Sequence, residues 1–532
     1  MERWTIMART HVSSAARAFL LLAPLTLVAA PRLPAQQLIQ ERLDLAALAQ
    51  IREEGLNRSR IDTLAQQLLD GIGARLTGST HLRRAQEWAA QTMRSWGLVN
   101  VVIEPWDSLF GRGWERVSYS GRFLEPYVQP LRAEPQAWSG STRGTVQCPV
   151  VLIEVTDTAQ LAQYSGRLRG ACVMYQRWNP IAPEWTAPPR RLDADSLVAA
   201  YANPPRPQPQ APGGPGPQAQ QQFQQQQALN RAILNLIRRE QAAAILLPSG
   251  WTYGILRTGG HPDGRLARDS AYEPVPALLV AHEQYGQLWR LAQRRIAARL
   301  ELNVQNRWVN QDRREYNVLG EIPGTDLRRQ VVMIGAHFDS WHSGQGATDN
   351  AAGSLVMLEA MRILRALNLP LRRTVRIALW SGEEQGLLGS RHWVRMHAAE
   401  LPDISAYLNI DNGSGRIRGV YAQGNEAALG IFEQVLAPFR DLGVVAGRMH
   451  NTGGTDHLAF DAVGVPGFQF VQDPLEYGIR SHHSYVDTYE RLVMDDLRQM
   501  ATIVAWSVYT LANRDEMMPR KPAPRPATGG GN

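Results

Sequence analysis

Between residues 331 and 490 this chain repeats one arrangement, a short hydrophobic run of strand character followed by a histidine or an acid. The runs at 331–334, 375–380, 407–410 and 468–471 are rich in β-branched, aromatic or aliphatic residues and have strand length. Beyond them come, in order, His337 and Asp349, then Glu383 and Glu384, then Asp411, then His482 and His483. Ligands of open α/β sheets bind outside the carboxyl ends of the strands, so the series predicts a sheet that gathers these side chains along one edge. Amphipathic stretches such as Met357, Met361 and Leu364 ahead of Pro370 separate the runs. That alternation implies an α/β fold with a mostly parallel central sheet covered by helices.

Residue type tells what such an edge does. Imidazole and carboxylate without thiolate suit Zn²⁺ best, and Mn²⁺ or Co²⁺ fit the same donors. Asp349, at the start of a predicted helix, reads as a helix cap or as a carboxylate bridging two ions, and His337 with Glu383 and Glu384 favours the bridge. Adjacent glutamates repel unless positive charge is near. Two divalent ions carry four positive charges, Asp349, Glu384 and Asp411 supply three negative ones, and a deprotonated Glu383 balances the site as the base for a bridging water. Asp339 is the natural partner to hold His337 in its metal-binding tautomer. The residues themselves do not separate His482 from His483. No His-Glu-x-x-His helix, Gly-x-Ser-x-Gly elbow, Walker loop or dinucleotide fingerprint is present.

At 532 residues the chain exceeds one ordinary core, and 44% hydrophobic residues suit a globular protein. A basic, apolar and small-residue series over residues 1–35 reads as a secretory signal peptide cut after Ala35; its apolar stretch is shorter than a spanning helix needs. No later segment predicts a membrane span. The formal charge of +7 rests on Arg, with Lys521 the sole lysine, and no basic run is interleaved with aromatics, which argues against a nucleic-acid partner. Cys148 and Cys172 are too few for a disulfide scaffold, although an exported protein could join them. Residues 36–118 predict a helical first part of the catalytic domain, 119–287 an inserted β-rich domain, 288–515 the second catalytic part, and 516–532 a disordered tail. Within the insertion, the Pro/Gln-rich stretch 204–227 predicts a disordered loop.

The segments Gly335-Ala336-His337-Phe338-Asp339, Thr348-Asp349-Asn350, Ser381-Gly382-Glu383-Glu384-Gln385-Gly386 and His482-His483-Ser484 with Asp487-Thr488 resemble those of the co-catalytic di-zinc exopeptidases, the family of aminopeptidases and glutamate carboxypeptidases. The likeness covers most of residues 40–520. It implies the zinc exopeptidase fold, a protease-associated domain over 119–287 and two Zn²⁺ per chain. It assigns His337 and Asp411 to one zinc, Glu384 and His483 to the other, Asp349 as the bridge and Glu383 as general base, with His482 polarising the substrate carbonyl. The implied activity is hydrolysis of short peptides or dipeptides by a secreted or periplasmic enzyme. Carboxypeptidase and aminopeptidase action both remain open, as does a receptor-like protein that kept the fold and lost the chemistry. Relatives often form homodimers, but the sequence marks no seam.

Overall fold

The computed structural model describes residues 40–521 apart from 189, 203–216, 265–267, 269–272, 310–311 and 449. The expected signal peptide therefore lies outside the described residues. Two eight-stranded sheets organise the rest, within one compact unit that begins at Gln40.

The first sheet runs in the order β1 (Val99–Leu109), β10 (Arg314–Ile322), β12 (Thr374–Trp380), β11 (Val331–His337), β13 (Ile404–Asn409), β16 (Gly467–Gln472), β14 (Ile417–Tyr421) and β15 (Ala446–Arg448). Because side chains alternate along a strand, Val332 and Ile334 of β11 enter one core with Ile377 and Leu408, while Val331 and Met333 enter another with Trp380 and Tyr407. Both faces are covered by helices, which is why these strands read as unbroken hydrophobic runs. Helices Ala352–Leu367 and Met494–Asn513 pack on the first face, and Leu388–Met396 and His457–Asp461 on the second.

Strands β12, β11, β13 and β16 are mutually parallel, so their carboxyl ends lie along one edge. Among the described residues the sheet is mostly parallel, as expected, with four parallel pairings out of seven; β1 with β10, β10 with β12 and β14 with β16 pair antiparallel, while β14 pairs parallel with β15. Its four central parallel strands, β12, β11, β13 and β16, are the ones that lead into the candidate residues.

The second sheet has the order β3 (Gln129–Pro130), β2 (Gly113–Glu125), β9 (Arg299–Val309), β5 (Val146–Leu152), β6 (Cys172–Met174), β7 (Ala244–Pro248), β8 (Ala277–Val280) and β4 (Ala133–Pro135). Cys148 and Cys172 form a disulfide that ties β5 to β6 within its buried face. The expected boundaries of 119 and 287 fall inside or short of this sheet, because β2 and β9 pair along nearly their full length. Backbone pairing, invisible to composition, carries this sheet over residues 113–309.

Two further expectations fail locally. Residues 217–227, assigned to a disordered loop, open the helix Pro217–Arg239, whose later turns bury Leu229, Ile233 and Ile237 against the second sheet; the remainder of that loop, 204–216, lies outside the described residues. Residues 516–521, assigned to a disordered tail, are anchored at Met518, which is buried and whose N–H donates to Ser405 Oγ.

Candidate metal centre

His337 is the last residue of β11, and its neighbour across the ladder is Trp380, the last of β12. Its Nδ1 lies 3.0 Å from the main-chain oxygen of Asp339. A carbonyl only accepts, so Nδ1 carries the proton and Nε2 presents its lone pair. That nitrogen stands 3.2 Å from Asp411 Oδ1, 3.3 Å from Asp349 Oδ1 and 4.0 Å from Glu383 Oε2. Asp339 thus orients His337 as expected, but through its backbone. Its carboxylate instead accepts from Thr77 Oγ1 and from the N–H groups of Glu383 and Glu384, which pins the turn after β12. Gly382 holds that turn at φ 67°, where an added Cβ would strike the Trp106 ring.

Asp349 sits in a single wide turn ahead of the helix Ala352–Leu367, with non-helical backbone angles. The side-chain bond to the first turn of that helix comes from Asn350, whose Oδ1 accepts from Gly353 N–H, and not from Asp349, so the capping alternative is set aside. The Asp349 main chain is fastened from beneath by Asp487, whose carboxylate accepts from Asp349 N, Thr348 N and Thr348 Oγ1. Burial pushes the Asp487 carboxyl up to about 7. One oxygen of Asp349 meets His337 and accepts from Tyr477 OH at 3.2 Å; the other is 3.3 Å from His483 Nε2 and 3.8 Å from His482 Nε2. His483 Nε2 also lies 2.9 Å from Glu384 Oε2.

The structure therefore brings His337, Asp349, Glu383, Glu384, Asp411, His482 and His483 into one cleft, with Asp349 shared between two clusters. His337, Asp349 and Asp411 form one compact set of donor atoms, and Asp349, His482 and His483 another. The fit of a metal rests on these donors. Asp349 Oδ2 and Glu384 Oε1 are buried without a hydrogen-bond partner. Burial pushes the Glu383 and Glu384 carboxyls well above the ordinary range. Among the described residues, the ion-pair partners of these four carboxylates are all histidines. Such a cluster is costly without added positive charge, and a divalent ion supplies it.

Sequence reasoning missed three contributors. Arg75 is fully buried and donates to the main-chain oxygens of Phe338, Gln345 and Gly346, bracing the loop after β11. Tyr477 reaches Asp349, and Arg257 of the inserted sheet reaches His482 Nδ1 at 3.1 Å. None follows a strand run, so no periodicity pointed to them.

Comparison with known proteins finds relatives that span most of the chain. Residues 317–508 match the model of peptidase family M28. The chain is 28% identical to carboxypeptidase Q of Pongo abelii over 459 residues, covering 85% of each chain. The crystal structure of a peptidase M28 precursor from Shewanella amazonensis superposes with a TM-score of 0.65 at 23% identity, over 90% of this chain and 99% of that one. A zinc aminopeptidase from Bacillus subtilis superposes with a TM-score of 0.54 at 17% identity, over 84% and 93% respectively, a likeness of fold. The segment similar to peptidase family M28 bears each of the gathered acids and histidines, and together with the likeness to carboxypeptidase Q this supports a metallo-exopeptidase.

Proposed function

We propose that the protein is a secreted, zinc-dependent exopeptidase that hydrolyses dipeptides or short peptides from the carboxyl end. The observation that carries this reading is the shared carboxylate of Asp349 between two clusters of donors, with Glu383 beside it. His337 and Asp411 would hold one Zn²⁺, Glu384 and His483 the other, with Asp349 common to both. The similarity to carboxypeptidase Q supports the carboxyl-end preference. The second sheet would serve as a protease-associated domain, and the Cys148–Cys172 bond suits an oxidising compartment. Among the described residues no helix is long and apolar enough to cross a membrane.

Bound divalent ions supply Lewis acidity toward the scissile carbonyl and toward water. The chain's own part is proton management and orientation. Glu383, on a turn pinned by Asp339, takes a proton from the attacking water at Oε2 and returns it to the leaving amine nitrogen. Burial in the cleft raises the basicity of its carboxylate. His482 faces the same space through Nε2 and donates to the carbonyl oxygen as negative charge develops there.

Zinc-loaded protein incubated with a free dipeptide, its N-acylated form and its C-amidated form tests the proposal. Cleavage of the free and N-acylated forms, with the amide spared, is the expected result. Cleavage of the free and amidated forms alone assigns aminopeptidase action instead. No cleavage of any form, with zinc bound, favours a receptor-like protein.

A further inference from the structure

The loop that follows β7 leaves the second sheet and is zipped by its main chain to the segment bearing the adjacent histidines. Thr258 N–H donates to His483 O at 2.9 Å, and Tyr485 N–H to Leu256 O at 3.2 Å, so Arg257 and Ser484 form a bridge pair. Thr258 Oγ1 and Ser343 Oγ add a side-chain bond at 2.6 Å. Arg257 is thereby fixed beside His482 by backbone on both sides of it, and its guanidinium lies over the Trp251 ring at 5.5 Å. From there Nη2 approaches His482 Nδ1 at 3.1 Å.

A guanidinium has five N–H donors, no acceptor, and does not lose its charge in proteins. The ring nitrogen that it meets must therefore be the accepting one. A neutral imidazole with Nδ1 accepting carries its proton on Nε2. Nε2 of His482 points to the cleft, 3.8 Å from Asp349 Oδ2, too far for a hydrogen bond to that oxygen. The side chain keeps 29% exposure, which leaves the ring within reach of an incoming substrate. The same reasoning removes His482 from the metal-holding set, since a protonated Nε2 has no lone pair to give. His483, whose Nε2 faces Glu384 and Asp349, is left for that role.

We propose that Arg257 is a positioning residue of the peptidase reaction: from the inserted sheet it fixes His482 as the Nε2–H tautomer, so that His482 donates a hydrogen bond to the substrate carbonyl and does not ligate metal. This rests on the reading of the cleft as a peptidase site. It gives the inserted sheet a part in the chemistry.

The test combines spectroscopy with a double-mutant cycle on the full-length protein. In histidine-labelled protein, the ¹⁵N signals of His482, identified by their loss in His482→Ala, should show Nδ1 bare and Nε2 protonated, and this pattern should be lost in Arg257→Ala. Arg257→Ala should keep its zinc and its melting temperature. Its kcat should fall at least ~10-fold with KM little changed, within the ~10²–10³-fold ceiling of a single lost donor. Arg257→Lys, still a pure donor, should recover part of the loss. Arg257→Ala combined with His482→Ala should be no slower than His482→Ala alone, within about twofold.

A protonated Nδ1 in the wild type, an unchanged tautomer in Arg257→Ala, or fully additive losses would overturn the proposal. Additive losses confined to KM would show instead that Arg257 touches the substrate itself. The spectrum does not depend on turnover. A chain with the expected tautomer and no peptidase activity would therefore refute the function and leave the geometry standing.

Discussion

Glu383 and Glu384 are neighbours in the chain, yet they face different histidines: the first lies 4.0 Å from His337, the second 2.9 Å from His483. The turn after β12 separates them, and Asp339 holds both of their N–H groups. Two like charges placed side by side can thus take separate tasks, one as ligand and one as base. Glu383→Gln is expected to keep its metal and to lose about 10²–10⁴-fold in kcat, because the amide keeps the shape and cannot accept a proton. Elemental analysis beside turnover decides it, and a variant that keeps most of its activity refutes the assignment. His483 stands at φ 60°, a backbone setting that is uncommon for a residue with a side chain and that clusters at functional sites.

The elements around the site differ in what holds them. The helix Pro217–Arg239 is exposed through its glutamine-rich start and anchored by its later turns, where Ile237 is fully buried. Ile237→Ala should cost ~2–5 kcal/mol in urea unfolding, whereas Gln222→Ala should stay within about 0.5 kcal/mol. Equal effects would mean that the exposed start is packed. The segment after the helix Leu388–Met396 is held electrostatically: His397 bridges Glu104 of β1 and Glu400, and these hydrogen bonds raise its pKa to about 9. Because the folded value lies above the ordinary 6.5, protonation stabilises the fold. The contribution is complete below that ordinary value and is lost as pH rises through about 9. The melting-temperature gap between wild type and His397→Gln should therefore be wide near pH 6 and narrow by about pH 10. A residual gap is expected from the lost stacking on Trp393, and a gap that does not change with pH would exclude the ion pair as its source.

At the scale of the molecule, a buried carboxylate cluster links metal binding to stability. Ions that bind only the folded chain stabilise it by mass action, by about 2.7 kcal/mol at a hundredfold excess over Kd. Dialysis against a chelator should lower the melting temperature, and zinc should restore it in a concentration-dependent way. An unchanged melting temperature at verified metal loss would show that the cleft tolerates its charges without a cation, and would count against the metal assignment.

The sheet edge is legible in the amino-acid sequence because it depends on local pattern. A strand buried on both faces needs an unbroken hydrophobic run, and the acid or histidine after such a run marks its carboxyl end. His337, Asp349, Glu383, Glu384, Asp411 and the paired histidines all follow from that rule. Asp339 is legible as a partner, but the atom that orients His337 is not, since backbone and carboxylate of one residue look alike in sequence. The pairing of β2 with β9, the joining of Cys148 to Cys172 and the approach of Arg257 to His482 are settled only by the tertiary structure. Each joins segments distant in the chain, and long-range pairing depends on which surfaces meet, a matter that local periodicity does not encode.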